Sequence, residues 1–316
     1  MIGKIACFCK KLIDWFKSDR CFVSYFIKAF PLANNLLMLM ILMLSFFIIV
    51  MYGAISTGIR INTWLSMLII TLLIAAFASG FFYLMKTNVD KKVNGETVEN
   101  NNFKFTFSTF YAGIGENYLS FVALFILFMV LATLVVFGTI LFVDKFFFKL
   151  SELGNSLPAF FEAITYPNQA DSILQQLDEP QKLMLRTWSR SFLITTQTFT
   201  FLIMLWIPET LYTKKNVIVT LFTSIKKLFT EFPNSLCVYL TIMLLNFLVA
   251  VLTLLFGNNT VGFMLLHILS FYLLIYNFYA IFFFYNDKFI DIERKEPVQL
   301  SEEPEITENN NDGQEN

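Results

Sequence analysis

From Leu32 to Thr57 the chain reads LANNLLMLMILMLSFFIIVMYGAIST, without one Asp, Glu, Lys or Arg. A helix crossing the hydrocarbon core of a bilayer needs about 20 consecutive apolar residues, because no water is present there to satisfy a bare backbone. This stretch meets that requirement. Working outward from it, five more charge-free stretches do the same: Asn62 to Met85, Asn117 to Val143, Ser191 to Ile207, Ser235 to Phe256 and Thr260 to Tyr285. The fourth is the least apolar, since Thr195, Thr196, Gln197, Thr198 and Thr200 fill its first half. Composition agrees, with 56% apolar residues, 39 Phe and 15% charged residues in a chain of 316. Soluble domains run near half apolar and about a quarter charged, so lipid must serve as part of the solvent. The expected fold is all-α, a polytopic membrane bundle of six transmembrane helices, which excludes a disordered chain, a disulfide scaffold and a typical cytosolic enzyme.

Charge sets the expected orientation. Of the 23 Lys and Arg residues, 17 fall in the N-terminal arm, the second and fourth connections and the C-terminus, and 6 fall on the opposite side. The positive-inside rule then places both termini in the cytoplasm, most naturally of a bacterial cytoplasmic membrane. The third connection, 144–190, is assigned to the outer side, where its five bases are a dissenting vote offset by six acids. Aromatic residues near the span ends are expected to anchor the interfaces: Trp64, Tyr83, Tyr118, Trp188, Trp206, Tyr212, Tyr239 and Tyr285. Residues 1–31 are expected to form a basic amphipathic arm, and 286–316 a disordered acidic tail with seven acids from Glu296 onward and a capacity to bind a protein partner. Met1 to Arg20 lacks an apolar run of signal-peptide type. Cys7, Cys9, Cys21 and Cys237 lack metal-site spacing and are expected as reduced thiols.

A repeat underlies the spans. Between Val217 and Phe232, apolar Val217, Leu221, Ile225, Leu228 and Phe232 share one helical face, with Lys226, Lys227 and Thr230 opposite, and Pro233 follows. Near the N-terminus, Phe22, Tyr25, Phe26, Ala29 and Phe30 form a similar face with Lys28 opposite, and Pro31 follows. Each copy therefore reads as a cytoplasmic interfacial helix that breaks at Phe-Pro into a span. A fainter middle copy, Phe103, Phe107, Phe110, Tyr111 and Ile114, has Gly113 and Gly115 in place of that break. Basic interfacial helices dock on lipid, and each cation near an anionic leaflet adds about 1 kcal/mol. Lys10, Lys11, Lys17, Lys28, Lys226 and Lys227 are the candidate contacts, and the expected partners are anionic membrane lipids, with no nucleic acid.

This layout, with strings such as Ser224-Ile225-Lys226-Lys227-Leu228-Phe229 and Leu177-Asp178-Glu179-Pro180-Gln181, resembles uncharacterised bacterial six-span membrane families in which interfacial helices alternate with membrane hairpins. It is also similar, more distantly, to the membrane domain attached to some glycerophosphodiester phosphodiesterases. The resemblance spans residues 20–290; it implies an architecture and carries over no catalytic residue.

Chemistry is sparse. Charged groups inside a span cost about 2.5–3.5 kcal/mol and mark transport or catalysis, and the six stretches hold no Asp, Glu, Lys or Arg. His267 is the single histidine and cannot by itself complete a metal site, so a hydrogen-bonded role is expected. Gln197, Asn246 and Asn277 are read as helix-to-helix hydrogen-bonding groups, and Ala76 with Gly80 as a close-packing pair. No nucleotide-binding, dinucleotide or hydrolase string occurs. The expected function is a non-enzymatic, lipid-contacting scaffold or membrane-homeostasis protein without a cofactor. The alternative is a carrier or channel for a small uncharged or lipidic solute passing Gln197. The third connection is expected to form a lid, with a helix starting at Pro180 behind a capping Asp178.

Overall fold

The structure is a computed structural model describing residues 22–59, 62–96, 98, 102–147, 178–256 and 259–290. Lys10, Lys11 and Lys17 of the basic arm, most of the third connection, for which a lid is expected, and the acidic tail beyond residue 290 lie outside the described residues. The elements are α1 (Phe22–Ala33), α2 (Leu36–Gly58), α3 (Thr63–Val93), α4 (Phe103–Phe146), α5 (Glu179–Ile203), α6 (Trp206–Thr213), α7 (Val217–Thr230), α8 (Phe232–Phe256) and α9 (Thr260–Tyr285). A π-helical turn, Asn286–Ile290, closes the series. Six segments are long and apolar enough to cross a membrane: Leu36–Gly58, Thr63–Val93, Phe103–Phe146, Glu179–Thr213, Phe232–Phe256 and Thr260–Ile290.

Most of these helices begin on an Asx cap. Asn35, Asn62, Asn102, Asn216 and Asn259 each accept a hydrogen bond from a first-turn amide, satisfying a donor that the helix itself leaves bare. Asp178 caps α5 in a reciprocal box with Gln181, and Pro180 sits in the first turn, as the sequence predicts.

Several boundaries depart from the sequence reading. The first span starts at Leu36 rather than Leu32, because Pro31 is tolerated inside the last turn of α1 and the bend falls on Asn34 and Asn35. Pro233 instead lies in the first turn of α8, just after the bend at Glu231. The two Phe-Pro strings therefore occupy opposite sides of their bends. In the middle copy there is no bend, so the repeat has two separate short helices rather than three; α4 runs unbroken for 44 residues. At 1.5 Å per residue that is about 66 Å, roughly twice the hydrocarbon thickness. The fourth span, expected over 191–207, is broken at Met204 and Leu205. Pro208 has no amide to offer the Met204 carbonyl, and α6 restarts with it in the first turn. The connection 144–190 also shrinks, since α4 reaches Phe146 and α5 begins at Glu179.

The main core lies at one end of the bundle. The last turns of α9, with Tyr279, Ala280, Phe282, Phe284 and Tyr285, are buried on every side. Around them pack α1, the second half of α3, the start of α4, α6 and α7. Phe82 of α3 joins three helices, with ring centroids 6.0 Å from Phe121 and 4.6 Å from Phe278. Tyr25 of α1 meets Phe284 edge-on at 5.5 Å and donates to Asp287. At the opposite end Trp64, Leu254, Phe256, Val261 and Met264 are exposed, and contacts there are local, such as Ser66 with Ser56 and Val143 with Trp188.

The closest helix contact is between α3 and α4. A Cβ built on Gly80 would lie 2.7 Å from the Phe110 carbonyl oxygen, and one on Gly113 would lie 2.6 Å from Tyr83 Cβ. Gly113 is therefore a crossing point, not a helix break, and the small-residue stretch around Gly80 packs as expected.

Candidate functional site

Polar side chains gather at the packed end, where α3, α6, α7 and α9 meet. Glu209, in the first turn of α6, is fully buried. Its Oε2 lies 3.0 Å from Lys227 Nζ of α7 and accepts a 2.5 Å hydrogen bond from the Tyr285 hydroxyl. Lys227 also donates to that hydroxyl at 2.9 Å, and its ammonium lies 4.9 Å from the Tyr285 ring centroid. Beside this triad, Tyr212 stacks on Tyr285 at 5.3 Å and donates to Asp90 at 2.7 Å. Asn286 donates to the same Asp90 oxygen at 3.1 Å, and Lys86 sits 4.9 Å over the Tyr212 ring. Glu209 Oε1 and Asn286 Oδ1 are buried without a partner among the described residues.

An ion pair removed from water returns its desolvation cost only with good geometry and further hydrogen bonds. Tyr285 supplies one such bond to each partner. The result ties α7 and the start of the C-terminal segment to one point on α6. Among the described residues no three His, Cys, Asp or Glu side chains come close enough to hold a metal ion.

Glu209 lies just beyond the fourth charge-free stretch, which ends at Ile207, and the sequence makes Lys227 a candidate lipid contact. The structure corrects the second point: Lys227 is 18% exposed and turned into the bundle. At about 100° per residue, Lys227 lies close to Thr220 and Ser224 on the α7 wheel, and both of those are fully buried. Small hydroxyl residues beside a lysine were the available signal, since they mark the side where another helix approaches. Trp188, Trp206, Tyr239 and Tyr285 are likewise buried, not set at an interface. Trp206 Nε1 donates to the Val217 carbonyl and holds α6 against α7.

The other predicted polar positions do not converge. Gln197 Oε1 accepts from the Tyr239 hydroxyl at 2.7 Å, a helix-to-helix bond between α5 and α8. Asn277 is buried in α9 with no partner for its Oδ1 among the described residues, while Asn246 is exposed on a shallow cleft between α8 and α9. His267 faces outward with Nδ1 2.8 Å from the Phe263 carbonyl oxygen one turn earlier. Its bond is local to α9, so His267→Leu is expected to leave unfolding free energy within about 0.5 kcal/mol of wild type; a larger loss in detergent unfolding would show a partner outside α9. Lys28 is half-buried on α1 and Lys226 is exposed on α7. Lys214, in the left-handed conformation that ends α6, pairs with Glu116 at 3.0 Å, and that hydrogen bond raises its ammonium above the ordinary lysine range.

Fold and site together define an all-α, multi-pass integral membrane protein whose packed end is locked by a buried ion pair. No protein-family model matches the chain, and no curated protein or solved structure is significantly similar to it.

Proposed function

We propose that this protein is a non-enzymatic scaffold of a bacterial cytoplasmic membrane, with both termini cytoplasmic and short interfacial helices resting on anionic lipid. The observation that supports this best is the outward side of α7. Phe222 is 68% exposed, and Ile218 and Phe229 on the same side are also exposed, with exposed Lys226 beside them. The other side, Val217, Thr220, Leu221, Ser224 and Leu228, is buried in the bundle. A helix pinned on one side that presents Phe and Ile with a flanking cation on the other has the chemistry of a headgroup-level helix. The sequence expectation sets the face of Val217, Leu221, Ile225, Leu228 and Phe232 on lipid; Val217, Leu221 and Leu228 of that face are instead buried in the bundle, and Phe222 and Phe229 are the exposed apolar residues. On α1, exposed Ile27 and Phe30 repeat the arrangement. In this reading the acidic tail is left in the cytoplasm for a protein partner.

The test is thermal unfolding of the full-length protein in detergent with added phosphatidylglycerol or phosphatidylcholine. A ligand bound only by the folded state raises the midpoint. Phosphatidylglycerol is expected to raise it more, and the combined variant Phe222→Ser, Lys226→Gln, Phe229→Ser to lose most of that difference. Equal midpoints with the two lipids in wild type would refute the reading.

A further inference from the structure

We infer that the cleft between the lipid-facing side of α4 and the start of α7 holds one acyl chain of an anionic phospholipid, with its headgroup at Lys215; this rests on the lipid-contact reading above. The cleft has a volume of about 540 Å³ and is lined along α4 by Leu119, Ala123, Ile126 and Val130, and at its other wall by Lys215 and Ile218. It forms because the neighbouring Leu124, Phe128 and Leu131 of α4 pack towards Trp206 and Leu221, while small Ser120 and Ala123 leave a trough beside them that Leu127 borders. Leu119, 79% exposed, opens the trough to lipid at the basic end.

Three features select this occupant. From Leu119 to Val130 the trough runs about 16 Å along α4, which matches one leaflet, half of a hydrocarbon core about 30 Å thick. Its α4 wall is aliphatic apart from the Ser120 hydroxyl, and on the other wall the Asn216 side-chain oxygen is engaged in capping α7, so the trough suits a hydrocarbon chain. At its mouth Lys214 is taken by Glu116, whereas Lys215 is exposed with no ion pair among the described residues. That leaves one uncommitted cation where a phosphate would lie.

The assignment is tested by native mass spectrometry of the full-length protein in detergent with equimolar phosphatidylglycerol and phosphatidylcholine. Wild type is expected to retain one phosphatidylglycerol after surface lipid has been stripped. Ala123→Trp, at an exposed position where the ring fills the trough, is expected to lose it. Lys215→Gln, a change on an exposed side chain that leaves the fold intact, is expected to lower the preference for phosphatidylglycerol about fivefold. Wild-type retention in Ala123→Trp, or an unchanged lipid preference in Lys215→Gln, overturns the assignment. The triple α7 variant separates the two proposals, because it removes the general response to anionic lipid and leaves the single retained molecule in place.

Discussion

Lys227→Met is expected to destabilise the membrane domain by about 3–5 kcal/mol, the usual cost of leaving one member of a buried ion pair without the other. Glu209 is fully buried, and the lysine provides the countercharge to an oxygen that no water reaches in its place. Tyr285→Phe removes the hydroxyl that serves both partners and is expected to cost less, about 1–3 kcal/mol. The double variant Glu209→Leu, Lys227→Met removes both charges together. It is expected to recover most of the single-variant loss, because apolar replacement of a whole buried pair is often neutral. Unfolding titrations of the four proteins in mixed micelles provide the measurement. A Lys227→Met protein as stable as wild type, or a double variant no better than the single, would mean that the pair does not hold α7 in place.

The second large effect concerns glycine, and its sign changes along α4. Gly113→Ala pushes a methyl group into Tyr83 and the Gly80 backbone, and Gly80→Ala pushes one into the Phe110 carbonyl. Each is expected to cost about 1–3 kcal/mol as the helices move apart. Because both residues lie in one contact, the double variant should cost less than the sum of the two. Gly115, two positions from Gly113, has nothing within 4 Å of a built Cβ. There the same substitution removes only the helix penalty of glycine and should stabilise by about 0.5–1 kcal/mol. Measured losses at both Gly113 and Gly115 would indicate general intolerance of α4 to substitution and would contradict the close crossing.

The spans were legible because the lipid requirement leaves a long-range signal: about twenty uncharged residues in a row survive errors of a few positions at either end. The bends were less legible, since Pro31 and Pro233 look alike in sequence but lie on opposite sides of their bends, and the Asn caps that set the actual starts are single residues. The site was hardest to see. Glu209 and Lys227 are 18 positions apart on different helices, and their meeting depends on how α6 folds back against α7 through Trp206. Lys226 and Lys227 are adjacent in sequence, yet one points outward and the other inward, because a step of about 100° separates neighbours on a helix.

The length of α4 has a mechanical consequence. Its tightest contact, Gly113 against Gly80 and Tyr83, lies about 15 Å from Phe103 and about 50 Å from Phe146 along the axis. No proline interrupts the rod between those points. Gly113 is thus a fulcrum near one end of a long lever. A small pivot at the crossing is magnified about threefold at the far tip, where Val143 bears on Trp188 of α5. By this geometry, a tilt of α4 about Gly113 would be felt more at the start of α5 than at the packed end.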